Sequence, residues 1–208
     1  MIKNIIFDMG RVLIDWDPPA IVAREGLNEE DSALLLLEVF QTAEWAAMDH
    51  GWMSQDEGYA RICRRLPERL HENARHCVFD WWKPPLTPIP GMAELVREVK
   101  ALGCGVYLLS NATSPLSEYF HRIPGSECFD GRIVSADVKM LKPEREIYRE
   151  LYRQFSLDPA ECFFIDDSII NVDGAWLSGM NATVFLGDMK RLRRELNEAG
   201  VPVKQLSD

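Results

Sequence analysis

Residues 5–15 read IIFDMGRVLID. The run from Ile2 to Phe7 is short and apolar and stops at Asp8, with Gly10 just beyond, the pattern of a buried strand that ends in a polar turn. In an open parallel sheet, residues just past the carboxyl ends of the strands are the ones that meet ligands, so what matters is whether other strands end beside Asp8. GVYLL (105–109) runs directly into Ser110-Asn111, and CFFI (162–165) runs directly into Asp166-Asp167-Ser168. From residue 92 onward the pattern alternates. Helices are predicted over 92–102, 115–123, 143–155, 172–177 and 189–199, with strands over 105–109, 133–135, 162–165 and 182–186. Such alternation predicts an α/β protein with a mainly parallel sheet covered by helices on both faces.

Between the first strand and this regular part the character changes. Ile21, Val22 and Leu27, then Leu34 to Phe40, then Tyr59, Ile62, Cys63 and Leu66 recur at helical spacing, with no strand-like run among them. The segment KPPLTPIPG (83–91) concentrates four prolines and forms a stiff connector, the best hinge candidate in the chain. The predicted organisation is a core formed by residues 1–17 and 84–208, interrupted by a helical cap over 18–83.

Composition limits the partners. With 23 Lys plus Arg against 33 Asp plus Glu, the 208-residue chain has a formal charge of −10, which disfavours nucleic acid. A small phosphate is less affected, because a metal and one lysine reverse the field locally. The apolar run Ala33–Leu37 is far shorter than the roughly 20 residues a bilayer requires, and MIKNIIFDMG is too short and polar for a signal peptide. The five cysteines show no Cys-x-x-Cys spacing and read as reduced thiols of a cytoplasmic protein. Neither membrane nor obligate protein partner is expected.

Parallel strands deliver Asp8, Ser110-Asn111 and Asp166-Asp167 to one edge of the sheet. Carboxylates gathered there repel one another, and a divalent cation with oxygen ligands offsets that repulsion most simply. Ser110 and Asn111 either bind phosphate oxygens or cap the helix that follows. Lys142 precedes Pro143, which suits a first helical position; a cation there opposes the helix dipole, so it is either a solvated loop residue or used elsewhere. In the cap, Trp16, Asp17, Trp45, Met48, His50 and Trp52 form either a wall over the site or ordinary core, and Trp81 and Trp82 pack the joint. The histidines show no metal-ligand spacing and no carboxylate partner, and Arg191, Arg193 and Arg194 read as a solvated helix face.

The order hhhhDxG, hhhSN, KP, hhhDDS resembles the haloacid dehalogenase superfamily of hydrolases. The helical segment after the first strand resembles that of members with a small cap, in particular the sugar-phosphate phosphatase-like ones with Asp-x-Gly in the first motif. The resemblance implies a Rossmann-like core and a Mg²⁺-dependent phosphatase acting on a small phosphorylated metabolite, such as a hexose 1-phosphate. It further implies that Asp8 is the nucleophile that becomes an aspartyl-phosphate, that Ser110 hydrogen-bonds the phosphoryl group, and that Lys142 neutralises it. Asp167 would hold Mg²⁺ with Asp166 assisting, together with Asp8 and the Gly10 carbonyl, while Asn111, Trp16, Asp17 and Trp45 would meet the substrate. One departure matters: relatives usually carry a second aspartate where this chain has Gly10, so the general acid and base is missing. Asp15 or Asp17 would have to supply the proton, or turnover would be slow except with good leaving groups such as a sugar anomeric or aryl oxygen. The same gap keeps open a 2-haloacid dehalogenase, which needs no such acid, and a catalytically weak module that binds a phosphorylated ligand or a protein. Asn171, where relatives place another carboxylate, would position Asp167 or a metal-bound water.

Overall fold

The computed structural model describes residues 1–206; the last two residues of the core segment predicted to reach 208 lie outside the described residues. The chain opens with β1 (Asn4–Phe7) and continues into α1 (Pro18–Ala23), α2 (Glu29–Leu35), α3 (Ala43–Asp49), α4 (Gln55–Cys63) and α5 (His71–Arg75). Single π turns, Leu36–Phe40 and His76–Asp80, extend α2 and α5. The alternating part then follows as α6 (Met92–Ala101), β2 (Gly105–Ser110), α7 (Leu116–Tyr119), β3 (Gly131–Val134), α8 (Ser135–Val138), α9 (Arg145–Phe155), β4 (Cys162–Asp166), α10 (Ile169–Leu177), β5 (Asn181–Val184) and α11 (Met189–Glu198).

All five strands are parallel, in the order β3-β2-β1-β4-β5. The chain first builds outward from β1 to β3 and then returns to add β4 on the other side of β1. The crevice between β1 and β4 is therefore the switch point at which open α/β sheets bind ligands. Successive strand side chains point to opposite faces. Ile5, Phe7, Phe163 and Ile165 join the apolar cluster under α6 and α11, and Ile6, Cys162 and Phe164 join the cluster under α9 and α10.

The inserted helices have an apolar cluster of their own, centred on Leu35, Val39, Ile62, Leu70, Cys77 and Val78. The two chain crossings into and out of this cap run side by side. Asp15 N donates to Thr87 O at 2.8 Å and Ile89 N to Leu13 O at 3.0 Å, so the proline-rich connector lies antiparallel to the outgoing segment. Arg122 clamps it from the core, donating to the carbonyls of Trp82, Lys83 and Pro84 at 2.7–3.0 Å. No helix among the described residues is long and apolar enough to cross a membrane.

Several sequence expectations shift. The helix predicted from Pro143 begins at Arg145, with Glu144 at its N-cap position, because the Lys142 peptide is bound to Asn111. The helix predicted over 115–123 is α7 followed by a 3-10 turn over Phe120–Arg122, and Ser135 opens α8 instead of closing β3. Arg193 is not solvated: it is only 4% exposed and donates to Glu98 at 2.6 Å and to Lys204 O at 2.9 Å. Two histidines do have carboxylate partners, His50 with Glu144 and His76 with Glu25, both at 3.1 Å.

Candidate active site

Asp8 and Asp166 occupy matching positions just past the paired residues of β1 and β4, on the face covered by α9 and α10. A cation arriving from that face reaches both. Lys142, buried in the loop between α8 and α9, donates to Asp8 Oδ1 at 2.7 Å and to Asp166 Oδ2 at 2.6 Å, and lies 5.2 Å from the centre of the Phe164 ring. Asn111 fixes the lysine from behind, accepting from Lys142 N at 2.9 Å and donating to Lys142 O at 3.0 Å. The lysine read from sequence as opposing a helix dipole thus stands ahead of the helix, held by a residue from the end of β2.

Asp166 is fully buried and also accepts from Ser168 N at 2.8 Å and from Asn171 Nδ2 at 3.0 and 3.2 Å. Asn171 therefore positions Asp166, not Asp167. Asp167 lines the cavity, with Arg11 Nη1 3.7 Å from its Oδ2. Burial pushes Asp8 up to about 7 against the opposing pull of Lys142, and the charge of Asp166 adds to the rise. Burial disfavours the Lys142 ammonium too, but Asp8 and Asp166 together outweigh it and raise its pKa. Asp167 is raised by burial and by Asp166, with Arg11 working against both. Lys142 bridges two carboxylates but offsets the charge of only one, and Asp167 is left to an exposed arginine. Asp8, Asp166 and Asp167 each offer an oxygen within 4.8 Å of the others. This excess of hard oxygen donors fits Mg²⁺.

The cavity over these groups has a volume of about 280 Å³. Asp8, Gly10, Asn111, Lys142 and Asp167 line it, as do Trp16 and Trp45. Trp16 anchors the aromatic part of the wall, its ring centre 4.4 Å from Trp81 and 5.7 Å from Trp45. Ser110 and Asp17 are not among the lining residues. Ser110 is buried at the last position of β2, where Asn111, Ala112 and Thr113 form the wall instead. Asp17 stands at the N-cap position of α1, its carbonyl accepting from Ile21 N. Of the other cap residues, Met48 is buried in the cap core, while Trp52 is 72% exposed and stacks on His50.

A family model of haloacid dehalogenase-like hydrolases matches residues 2–176. The chain belongs to this family. This haloacid dehalogenase-like hydrolase is 30% identical over 182 residues to a sesquiterpene phosphatase of Aspergillus oryzae, the match covering 86% of this chain and 87% of that one. Its fold is similar to that of a haloacid dehalogenase family enzyme from Bacteroides thetaiotaomicron solved with magnesium and inorganic phosphate, with a TM-score of 0.68 at 24% identity over 92% of this chain and 99% of that one. It is also similar in fold to the L-2-haloacid dehalogenase of Xanthobacter autotrophicus with chloropropionic acid covalently bound, with a TM-score of 0.66 at 19% identity over 97% of this chain and 84% of that one.

Among the lining residues of the haloacid dehalogenase-like hydrolase that were not legible as site residues are Arg11, Asp49, Thr113 and Tyr119. Thr113 follows Ser110-Asn111 closely and could have been included on that ground. Asp49 and Tyr119 carry no local signal, since each ends a short helix and reads as ordinary surface or core.

Proposed function

We propose that the protein is a Mg²⁺-dependent phosphatase that hydrolyses a phosphate monoester through an aspartyl-phosphate on Asp8, with residues 1–17 and 84–208 as core and 18–83 as cap. The observation that carries this reading is the Lys142 ammonium held between Asp8 and Asp166, with Asp167 on the same cavity. Asp8, Asp167 and the Gly10 carbonyl would hold the ion, which when bound offsets charge on the carboxylates and the phosphoryl group. Asp8 attacks phosphorus and the bond to the leaving oxygen breaks; water then attacks phosphorus and returns the Asp8 carboxylate. Lys142 pulls Asp8 toward its ionised form against burial, aligns it and faces the phosphoryl charge. Asn111 keeps Lys142 in place.

Trp16, Trp45, Trp81 and Tyr119 give the cavity an aromatic wall suited to a flat or apolar leaving group. We extend to this chain the substrate class in the name of its Aspergillus oryzae relative, a terpenoid phosphate; a hexose 1-phosphate stacked on an indole is the second choice. All five cysteines are free, and we place the enzyme in the cytoplasm. The test is phosphate release from a panel of terpenoid, aryl and sugar phosphates with Mg²⁺ or EDTA. Wild type should require Mg²⁺ and Asp8→Asn should be inactive. Gly10 favours one other reading, a haloacid dehalogenase, and halide release in EDTA would establish it.

A further inference from the structure

Position 10 lacks more than a side chain. A Cβ built on Gly10 would lie 3.1 Å from Trp16 Cβ, so any side chain at this position would crowd Trp16. Asp15 is exposed and Asp17 is at the head of α1, and neither lines the cavity. One further carboxyl does line it. Asp49, the last residue of α3, lies between Trp45, whose indole hydrogen-bonds to its carboxyl, and Tyr119, whose ionisation its charge opposes.

Asp49 is held by the core rather than by the cap alone. Ser135 Oγ donates to Asp49 O at 2.5 Å and accepts from Ala112 N at 2.9 Å, and Ala112 is itself part of the cavity wall. The next residue, His50, reaches Glu144, two residues from Lys142, at 3.1 Å. The end of α3 is thereby fixed to the strand ends that carry the catalytic groups, while no cation among the described residues pairs with the Asp49 carboxyl.

We propose that Asp49 is the proton-transfer residue of this enzyme, delivered by the cap in place of the acid absent at Gly10; the assignment rests on the phosphatase reading above. As the Asp8 oxygen bonds to phosphorus and the ester P–O bond breaks, the electron pair stays on the leaving oxygen, which takes the Asp49 proton. In the second step the Asp49 carboxylate takes a proton from the water that attacks phosphorus, and the bond to Asp8 breaks with its electrons returning to the carboxylate. Burial pushes Asp49 up to about 7, with the Trp45 hydrogen bond opposing the rise, so both proton states are accessible near neutrality. The other ionisable groups on the cavity are Asp8, Arg11, Tyr119, Lys142 and Asp167.

The experiment measures kcat/KM of wild type, Asp49→Asn, Asp49→Glu and Asp8→Asn, with Mg²⁺, on phosphates graded from nitrophenyl to primary alkyl leaving groups. Asp49→Asn should lose about 10²–10⁴-fold on the alkyl esters and little on nitrophenyl phosphate, steepening the dependence on leaving-group basicity. Asp49→Glu should recover part of the loss. An active wild type whose Asn variant loses nothing, or loses equally across the series, overturns the assignment and leaves the phosphatase reading standing. A wild type as silent as Asp8→Asn on every ester overturns both.

Discussion

At the scale of single residues, the chemistry rests on how one buried ammonium is shared. Lys142 is shared between Asp8 and Asp166 and offsets one of their two charges, and removing it leaves both carboxylates uncompensated in a site that cannot solvate them. Lys142→Met should therefore cost about 3–5 kcal/mol of stability in EDTA, as breaking a buried pair usually does. Mg²⁺ should restore part of it; urea titrations of both proteins with and without the ion measure the difference. Asp49 makes a second prediction with a defined sign. Its folded pKa of about 7 lies above the ordinary carboxylate value of 3.8, so across that interval the unfolded chain has already released its proton and stability falls as pH rises. Asp49→Asn removes this loss: its Tm relative to wild type should be higher at pH about 8 than at pH about 4. An identical Tm difference at both values would show that the carboxyl is not held protonated by its surroundings.

At the scale of elements, the decisive contact is that of α3 with α8. Gly51, immediately after α3, has φ +73° and lies so close to the core that a Cβ would stand 2.2 Å from Ala136 O. Only glycine allows both the conformation and the approach. Gly51→Ala should push the end of α3 off α8, weaken the Ser135 link to Asp49 and open the cavity. The expected readout is a raised KM and faster proteolytic cutting of the 83–91 connector, at a stability cost of about 1–3 kcal/mol. The connector shows how far local sequence reading extends. Four prolines make it stiff, as read, but its pairing with Leu13–Asp15 and its clamping by Arg122 depend on residues distant in sequence. The Lys142 loop is similar: Pro143 signalled a helix start, and Asn111 displaced that start by binding the preceding peptide.

At the scale of the whole molecule, the fold makes ion binding a property of the native state. The carboxylates converge only when β1 and β4 are paired, so Mg²⁺ at 100 times its Kd should stabilise the protein by about 2.7 kcal/mol. Asp167→Asn should abolish most of that gain in a thermal scan without altering stability in EDTA by a comparable amount. The alternating pattern after residue 92 and the apolar runs ending at Asp8, Ser110 and Asp166 were readable because strand period and strand ends are encoded within a few consecutive residues. For that reason the sequence by itself determined the parallel α/β sheet, the inserted helical segment and the convergence of Asp8 with Asp166 and Asp167 on one sheet edge, whereas the residues alone left Lys142 open and only the resemblance placed it with them. The formal charge of −10 likewise anticipated carboxylates in excess of cations. Only the tertiary structure decided that Asn171 serves Asp166, that Asn111 clamps Lys142, that Trp16 packs close against Gly10 and that Asp49 reaches the cavity. Such pairings join residues as far apart as His50 and Glu144, 94 positions distant. No local pattern encodes them: the packing of the loops at the strand ends sets the Asn111 and Asn171 contacts, and the docking of the cap on the core brings in Asp49 and His50.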